Sequence, residues 1–275
     1  MLAITSRITD ISQKHLKSLF GDKDISLITG SIASIGIRVF SHMLRVALGI
    51  LLARLLSVNE FGFYSYAFAW TALLSTPAML GLDHIVIKFI PQYLAQNKIG
   101  LIKGMIRYAL LWASVSGTLV ALIGVIAASL IFEQSKQATF VVLFLSLPVI
   151  CFSTVRQAIM RGLNLPIKGQ LPENIIYPFS FITILIITSA FSSSKLYAFD
   201  AALSNVIAWC ICLTFGLFLL IKNYPKNGQG VPIESIHTQW NKDLPFLLFS
   251  VMAYMVFSRI DVLMLGWFAT DYDIG

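Results

Sequence analysis

Charge is scarce in this chain. Of its 275 residues only 12% are Asp, Glu, Lys or Arg, while 57% are hydrophobic, against the roughly 25% charge of an ordinary soluble domain. So few charges cannot cover a water-facing globule, which excludes a soluble enzyme. Cysteine is rare too. Cys151, Cys210 and Cys212 all lie inside apolar runs with no CxxC spacing, which argues against a disulfide framework and a structural zinc site. The four histidines, His15, His42, His84 and His237, are too scattered to ligate a metal together. Catalytic signatures are missing as well: there is no GxSxG, HExxH, P-loop or GxGxxG. No catalytic residue, cofactor or metal ligand is assigned, and no enzymatic activity is expected. The first 26 residues carry Arg7, Lys14, Lys17 and Lys23 but no apolar h-region or small-residue cleavage motif, so targeting is expected to fall to the first spanning helix.

Long apolar runs recur from Leu27 onward, each able to supply the ~20 residues that cross a bilayer core. Strands of a membrane barrel would be about half as long and would alternate apolar with polar residues, which these runs do not. The expected fold is therefore all-α, a polytopic transmembrane bundle. Seven spans are predicted: 27–56, 64–82, 106–132, 139–160, 175–191, 201–221 and 244–268. Before them, Ile8, Ile11, Leu16, Leu19 and Phe20 fall opposite Lys14 and Lys17 on a helical wheel. Residues 1–26 are thus either a cytoplasmic amphipathic helix lying on the membrane or a solvated leader.

The net charge of +7 would raise nucleic acid as a partner in a soluble protein, but here the charges sit between apolar runs and report topology. Fourteen Lys and Arg fall in the leader and the connections 83–107, 156–175 and 222–243, whereas the alternate connections hold only Lys136 and Lys195. That bias places the N-terminus in the cytoplasm.

An odd span count that stops at Asp271-Tyr-Asp-Ile-Gly275 reads as a cut chain. Shifting the end of the first span by 213 positions pairs Leu52 with Leu265, Glu60 with Asp273 and Gly62 with Gly275. The expected organisation is a first six-helix lobe over 27–222, a cytoplasmic linker over 223–243, and the first helix of a truncated second lobe over 244–275.

Within the first span, Arg38, His42 and Arg45 fall at i, i+4 and i+7 and make one polar stripe. With the span centred near residue 42, both arginines lie within ~6 Å of the midplane at 1.5 Å per residue. A guanidinium at that depth costs about 2.5 to 3.5 kcal/mol on insertion scales, so it faces protein or a watery cavity. One reading is a cavity wall that attracts phosphate or diphosphate, whose oxygens match the guanidinium fork. The other is pairing with acids elsewhere in the bundle. Late in the seventh span, Arg259 and Asp261 are two residues apart and do not share a helix face. Asp261 reads as the only acid well inside a span, a candidate for ion coupling or for a salt bridge to a first-span arginine. Arg156 and Arg161 read as basic residues at the cytoplasmic end of the fourth span. Pro77, Pro148, Pro178, Gly117 and Gly124 would loosen or kink spans.

The segments Leu51-Leu-Ala-Arg-Leu-Leu-Ser-Val-Asn-Glu-Phe-Gly62, Phe89-Ile-Pro-Gln-Tyr93, Arg161-Gly162 and Ser258-Arg-Ile-Asp-Val-Leu-Met-Leu-Gly266 resemble the O-antigen type polysaccharide-biosynthesis flippases. These belong to the multidrug/oligosaccharidyl-lipid/polysaccharide exporter superfamily, and the resemblance runs over essentially the whole chain. It implies translocation of undecaprenyl-diphosphate-linked oligosaccharide across the bacterial inner membrane by alternating access, through a cationic central cavity. Carried over, Arg38 and Arg45, with His42 on the same stripe, would contact the lipid diphosphate, and Arg259 with Asp261 would sit at the lobe interface. Partners would be the lipid-linked oligosaccharide, membrane lipids and other glycan-assembly membrane proteins. Two rivals are weighed against it. A cation-coupled multidrug exporter would want acids where this stripe has arginines, and a glycan polymerase or ligase would want a large outer loop, whereas these are short.

Overall fold

The computed structural model describes residues 22–131, 134–191, 196–224, 232, 240, 246 and 249, with side chains from residue 34 onward except those of 134–136. Of the predicted seventh span, 244–268, only residues 246 and 249 are described; Arg259 and Asp261 lie outside the described residues, as does the leader before residue 22. Among the described residues there is no strand, only a single parallel bridge between Leu56 and Leu196. Nine helices succeed one another among them: α1 Asp22–Leu55, α2 Val58–Ala78, α3 Leu82–Ala95, α4 Ile99–Ile131, α5 Gln134–Leu145, α6 Leu147–Gly162, α7 Pro166–Leu171, α8 Tyr177–Phe191 and α9 Ala198–Lys222. A π-helical turn, Pro172–Ile176, joins α7 to α8. Among the described residues five segments are long and apolar enough to cross a membrane, and a sixth is formed if α2 and α3, bent by 44°, make one broken span. The chain is a multi-pass helical membrane protein.

Prolines and left-handed residues set the breaks. Pro77 ends α2, and Leu80 and Gly81 take φ of 53° and 71° before α3 begins. Pro148 opens α6 after the interruption at Ser146. Pro172 and Pro178 lack the N–H that an α-helix would return four residues back, and in the turn between them the Tyr177 N–H returns to Pro172 O, five residues back. Gly117 and Gly124 do something else. Helix α4 runs unbroken through both, and a Cβ at Gly117 would stand 2.9 Å from Pro148 Cα, one at Gly124 2.9 Å from the Phe144 ring. They are close-approach positions rather than kinks.

The sequence places a cytoplasmic connection over 83–107, but the structure shows a helix there. Ile85, Val86, Phe89, Ile90 and Tyr93 of α3 are buried at helical spacing against α4 and α6. Trp240 joins this cluster, buried, with its indole N–H donating to Tyr93 Oη at 2.9 Å. A second cluster joins the end of α1 to α2, α5, α8 and α9. There the Ala198 N–H at the start of α9 donates to Glu60 Oε2 at 2.6 Å, and the Leu196 N–H donates to Leu55 O at 3.3 Å. These two bonds tie the α1–α2 connection to the α8–α9 connection at one end of the bundle.

Candidate functional site

Helix α1 is the least covered of the described spans. Of its described side chains, from residue 34 onward, only Ser41, Leu48 and Leu52 are buried, while Ile35, Met43 and Val46 are each more than 60% exposed. It packs mainly against α7, the π turn and α8. At about 100° per residue, Arg45 and Arg38 stand about 40° and 60° from Ser41 at the centre of the packed face, and His42 about 100° away. The two arginines therefore flank the seam with α7 and the π turn, whereas His42 points further out. All three are exposed.

Arg45 Nη2 donates to Asn174 Oδ1 at 3.3 Å across that seam. Arg45 stands ten residues before the end of α1 at Leu55, about 15 Å by helical rise, which is about half of a bilayer core. Among the described residues neither Arg38 nor Arg45 has an ion-pair partner. Arg161, at the end of α6, lies within electrostatic range of Arg38, Glu173 and Asp83. Its Nη2 donates to Gln157 Oε1 at 2.8 Å, and its shielded Nε has no partner among the described residues.

A second arginine site lies one layer inward. Arg156 of α6 is completely buried. Its Nη2 donates to Glu173 Oε1 at 2.6 Å and to Gly169 O at 3.0 Å, and its Nη1 donates to Gly216 O at 3.3 Å. One guanidinium thus ties α6 to α7, the π turn and α9. The bare Cα of Gly216 makes room for it, since a Cβ there would lie 2.6 Å from Arg156 Nε. Below this level, Asn205 Nδ2 donates to Tyr64 Oη at 2.9 Å and to Tyr177 Oη at 3.1 Å, joining α2, α8 and α9.

These observations correct three expectations. Arg156 is not at a cytoplasmic surface, because the connection assigned to 156–175 shrinks to 163–165 between α6 and α7. Asp261 is not the only acid inside a span, because Glu173 lies within the candidate span Pro166–Phe191. Phe61, Phe63, Tyr64, Tyr66 and Trp70 read in the sequence as an aromatic interface belt, but Tyr64 belongs to a buried network, whereas Tyr66 and Trp70 are exposed. Those two line an apolar groove of about 430 Å³ with Leu74, Ile123 and Phe140, whose lining residues include no charged side chain. The groove is therefore not the anion site. Of the residues predicted to act together, Arg38, His42 and Arg45 share the exposed stripe; Arg259 and Asp261 lie outside the described residues.

Sequence reasoning misses Glu173 and Asn174, though a signal for them exists. Asn164 adopts a left-handed φ of 60° in the turn between α6 and α7. Arg156 precedes it by eight residues and Glu173 comes nine residues after it, so a tight helical hairpin brings them opposite each other. Comparison with known proteins adds a family. A model of the polysaccharide biosynthesis protein family matches residues 27–275. No curated protein and no solved structure matches the chain.

Proposed function

The chain belongs to the polysaccharide biosynthesis protein family, and from that premise we propose that it translocates an undecaprenyl-diphosphate-linked oligosaccharide across the bacterial inner membrane. The cargo would be a repeat unit of O-antigen, capsule or exopolysaccharide, carried by alternating access without covalent chemistry on it. On this reading the N-terminus is cytoplasmic, and the partners are the lipid-linked glycan, membrane lipids and other glycan-assembly membrane proteins, not nucleic acid.

One observation carries the reading. The buried acid Glu173 is taken by Arg156, so the stripe arginines keep their charge. Two guanidiniums in an apolar span with no acid partner among the described residues are costly unless something anionic or aqueous meets them. A diphosphate supplies oxygens that fit two forks at once. A cation exporter gains nothing from this arrangement, because a cation would be repelled by the stripe. Arg38 and Arg45 would bind the diphosphate, and His42, set further round the helix, would line the same water path.

The test is transport in a flippase-null strain carrying Arg45→Ala or Arg45→Lys. Losing charge-assisted hydrogen bonds of about 1.5 to 3 kcal/mol each predicts a transport loss of roughly 100-fold or more for Arg45→Ala, with near-normal accumulation in the membrane. Arg45→Lys keeps the charge without the fork and recovers part of the activity. Undiminished transport by Arg45→Ala contradicts the proposal.

A further inference from the structure

Residues 173 and 174 are neighbours that serve opposite sides of one turn. Glu173 reaches inward to Arg156, while Asn174 reaches across the seam to Arg45 on α1. The π turn has one residue more per hydrogen-bonded ring than an α-helix and rotates the helix beyond it, so its register sets which side chain meets which arginine. Arg156 also binds the Gly169 and Gly216 carbonyls. The turn is therefore anchored on α6 and α9, and Asn174 is presented from a fixed element to a helix whose other faces are largely exposed.

The Asn174 contact is chemically weak in a particular way. Its Oδ1 is an sp² oxygen that accepts a guanidinium hydrogen bond much as a phosphate oxygen does, but it carries no charge. At 3.3 Å it lies beyond the usual 2.7 to 3.2 Å range of about-optimal N–H···O bonds. Among the described residues it is the one hydrogen bond Arg45 makes, so the remaining guanidinium donors stay open. Nearby Tyr177 is also neutral and within electrostatic range of Arg45, and its hydroxyl accepts from Asn205. Further along, Arg161 lies within electrostatic range of Arg38, Glu173 and Asp83; of the two acids, Glu173 is paired with Arg156 and Asp83 lies 2.9 Å from His84 Nδ1. Arg45 is thus oriented without being neutralised.

We propose that Asn174 is a placeholder for the substrate anion: its carboxamide oxygen holds the Arg45 guanidinium in place in the empty protein and yields to a diphosphate oxygen on binding. This rests on Arg45 being a diphosphate ligand. It makes Asn174 a positioning residue whose neutrality is the property that matters. An aspartate in the same place would form an ion pair with Arg45 and compete with the ligand. The exchange releases this hydrogen bond between α1 and the π turn while the turn stays clamped by Arg156.

The experiment measures binding of farnesyl diphosphate to the full chain in neutral phosphatidylcholine nanodiscs by isothermal titration, with farnesol as the tail-only control. Asn174→Asp is expected to weaken diphosphate binding by about tenfold or more, as a competing charge-assisted pair would, and to raise the unfolding temperature. Asn174→Ala, which removes the placeholder without adding charge, is expected to bind within about threefold of wild type. Farnesol binding should be unchanged in both. If Asn174→Asp binds as well as wild type while Arg45→Ala does not bind, the placeholder is wrong and the diphosphate reading stands. Loss of binding by Asn174→Ala comparable to that of Arg45→Ala would also overturn it, making Asn174 a ligand in its own right. If Arg45→Ala binds like wild type, the underlying diphosphate reading fails first.

Discussion

Two arginine sites, Arg45 on α1 and Arg156 on α6, meet adjacent residues of one π turn and end in opposite states. Arg156 is fully buried, holds an acid at 2.6 Å and two backbone carbonyls, and belongs to the fold. Arg45 is exposed, holds one neutral side-chain oxygen at 3.3 Å, and has no acid among the described residues. Lying within an apolar span does not separate them, since both do. The neighbour does: a carboxylate at 173 completes one arginine, and a carboxamide at 174 leaves the other available. An intramembrane charge is thus informative about function only once its counter-charge has been located.

The largest effect that could break this contrast comes from removing Glu173. Glu173→Ala strands a buried guanidinium, and breaking such a pair costs about 3 to 5 kcal/mol. The protein should therefore accumulate poorly and unfold at lower temperature, as judged by fluorescence-detected size exclusion during heating. Replacing both partners, Arg156→Met with Glu173→Leu, should restore most of that loss, since apolar groups of similar volume often equal a buried pair. A double variant as unstable as the single one would show that the pair does more than offset two charges.

Gly216→Ala should have a smaller effect. The added Cβ would stand 2.6 Å from Arg156 Nε, and that guanidinium is pinned by its bonds and cannot swing aside. Overpacking of this kind costs about 1 to 3 kcal/mol. The loss should appear in thermal stability and should largely vanish when Arg156→Met is already present, because the clash partner is then gone. Additive effects would place Gly216 outside the Arg156 site.

The helical class, the apolar spans through α9 and the stripe of Arg38, His42 and Arg45 were legible in the sequence because each is a matter of local composition or 3.6-residue spacing. The counter-charge was not. Glu173 comes directly after a proline and sits among polar neighbours, Gln170 and Asn174, so hydropathy reads it as connection. Only the hairpin about Asn164 shows that it returns to the level of Arg156. Helix α3 was missed for a related reason: Asp83, His84 and Lys88 dilute an apolar stripe whose spacing, at 85, 86, 89, 90 and 93, is helical. Where long-range pairing decides a residue's role, periodicity along the chain carries little information about it.

The central claim is that the α1 arginines face water and an anion while Arg156 faces only protein. Single cysteines at positions 45 and 156, each introduced with Cys210→Ala and with Cys151 and Cys212 retained as buried thiols, make this measurable with a charged methanethiosulfonate reagent on inverted membrane vesicles. The cysteine at 45 should react readily with the reagent, while the one at 156 should stay unmodified in the folded protein. A cysteine at 45 that resists the reagent as fully as the one at 156 would place Arg45 against lipid or protein and contradict the account.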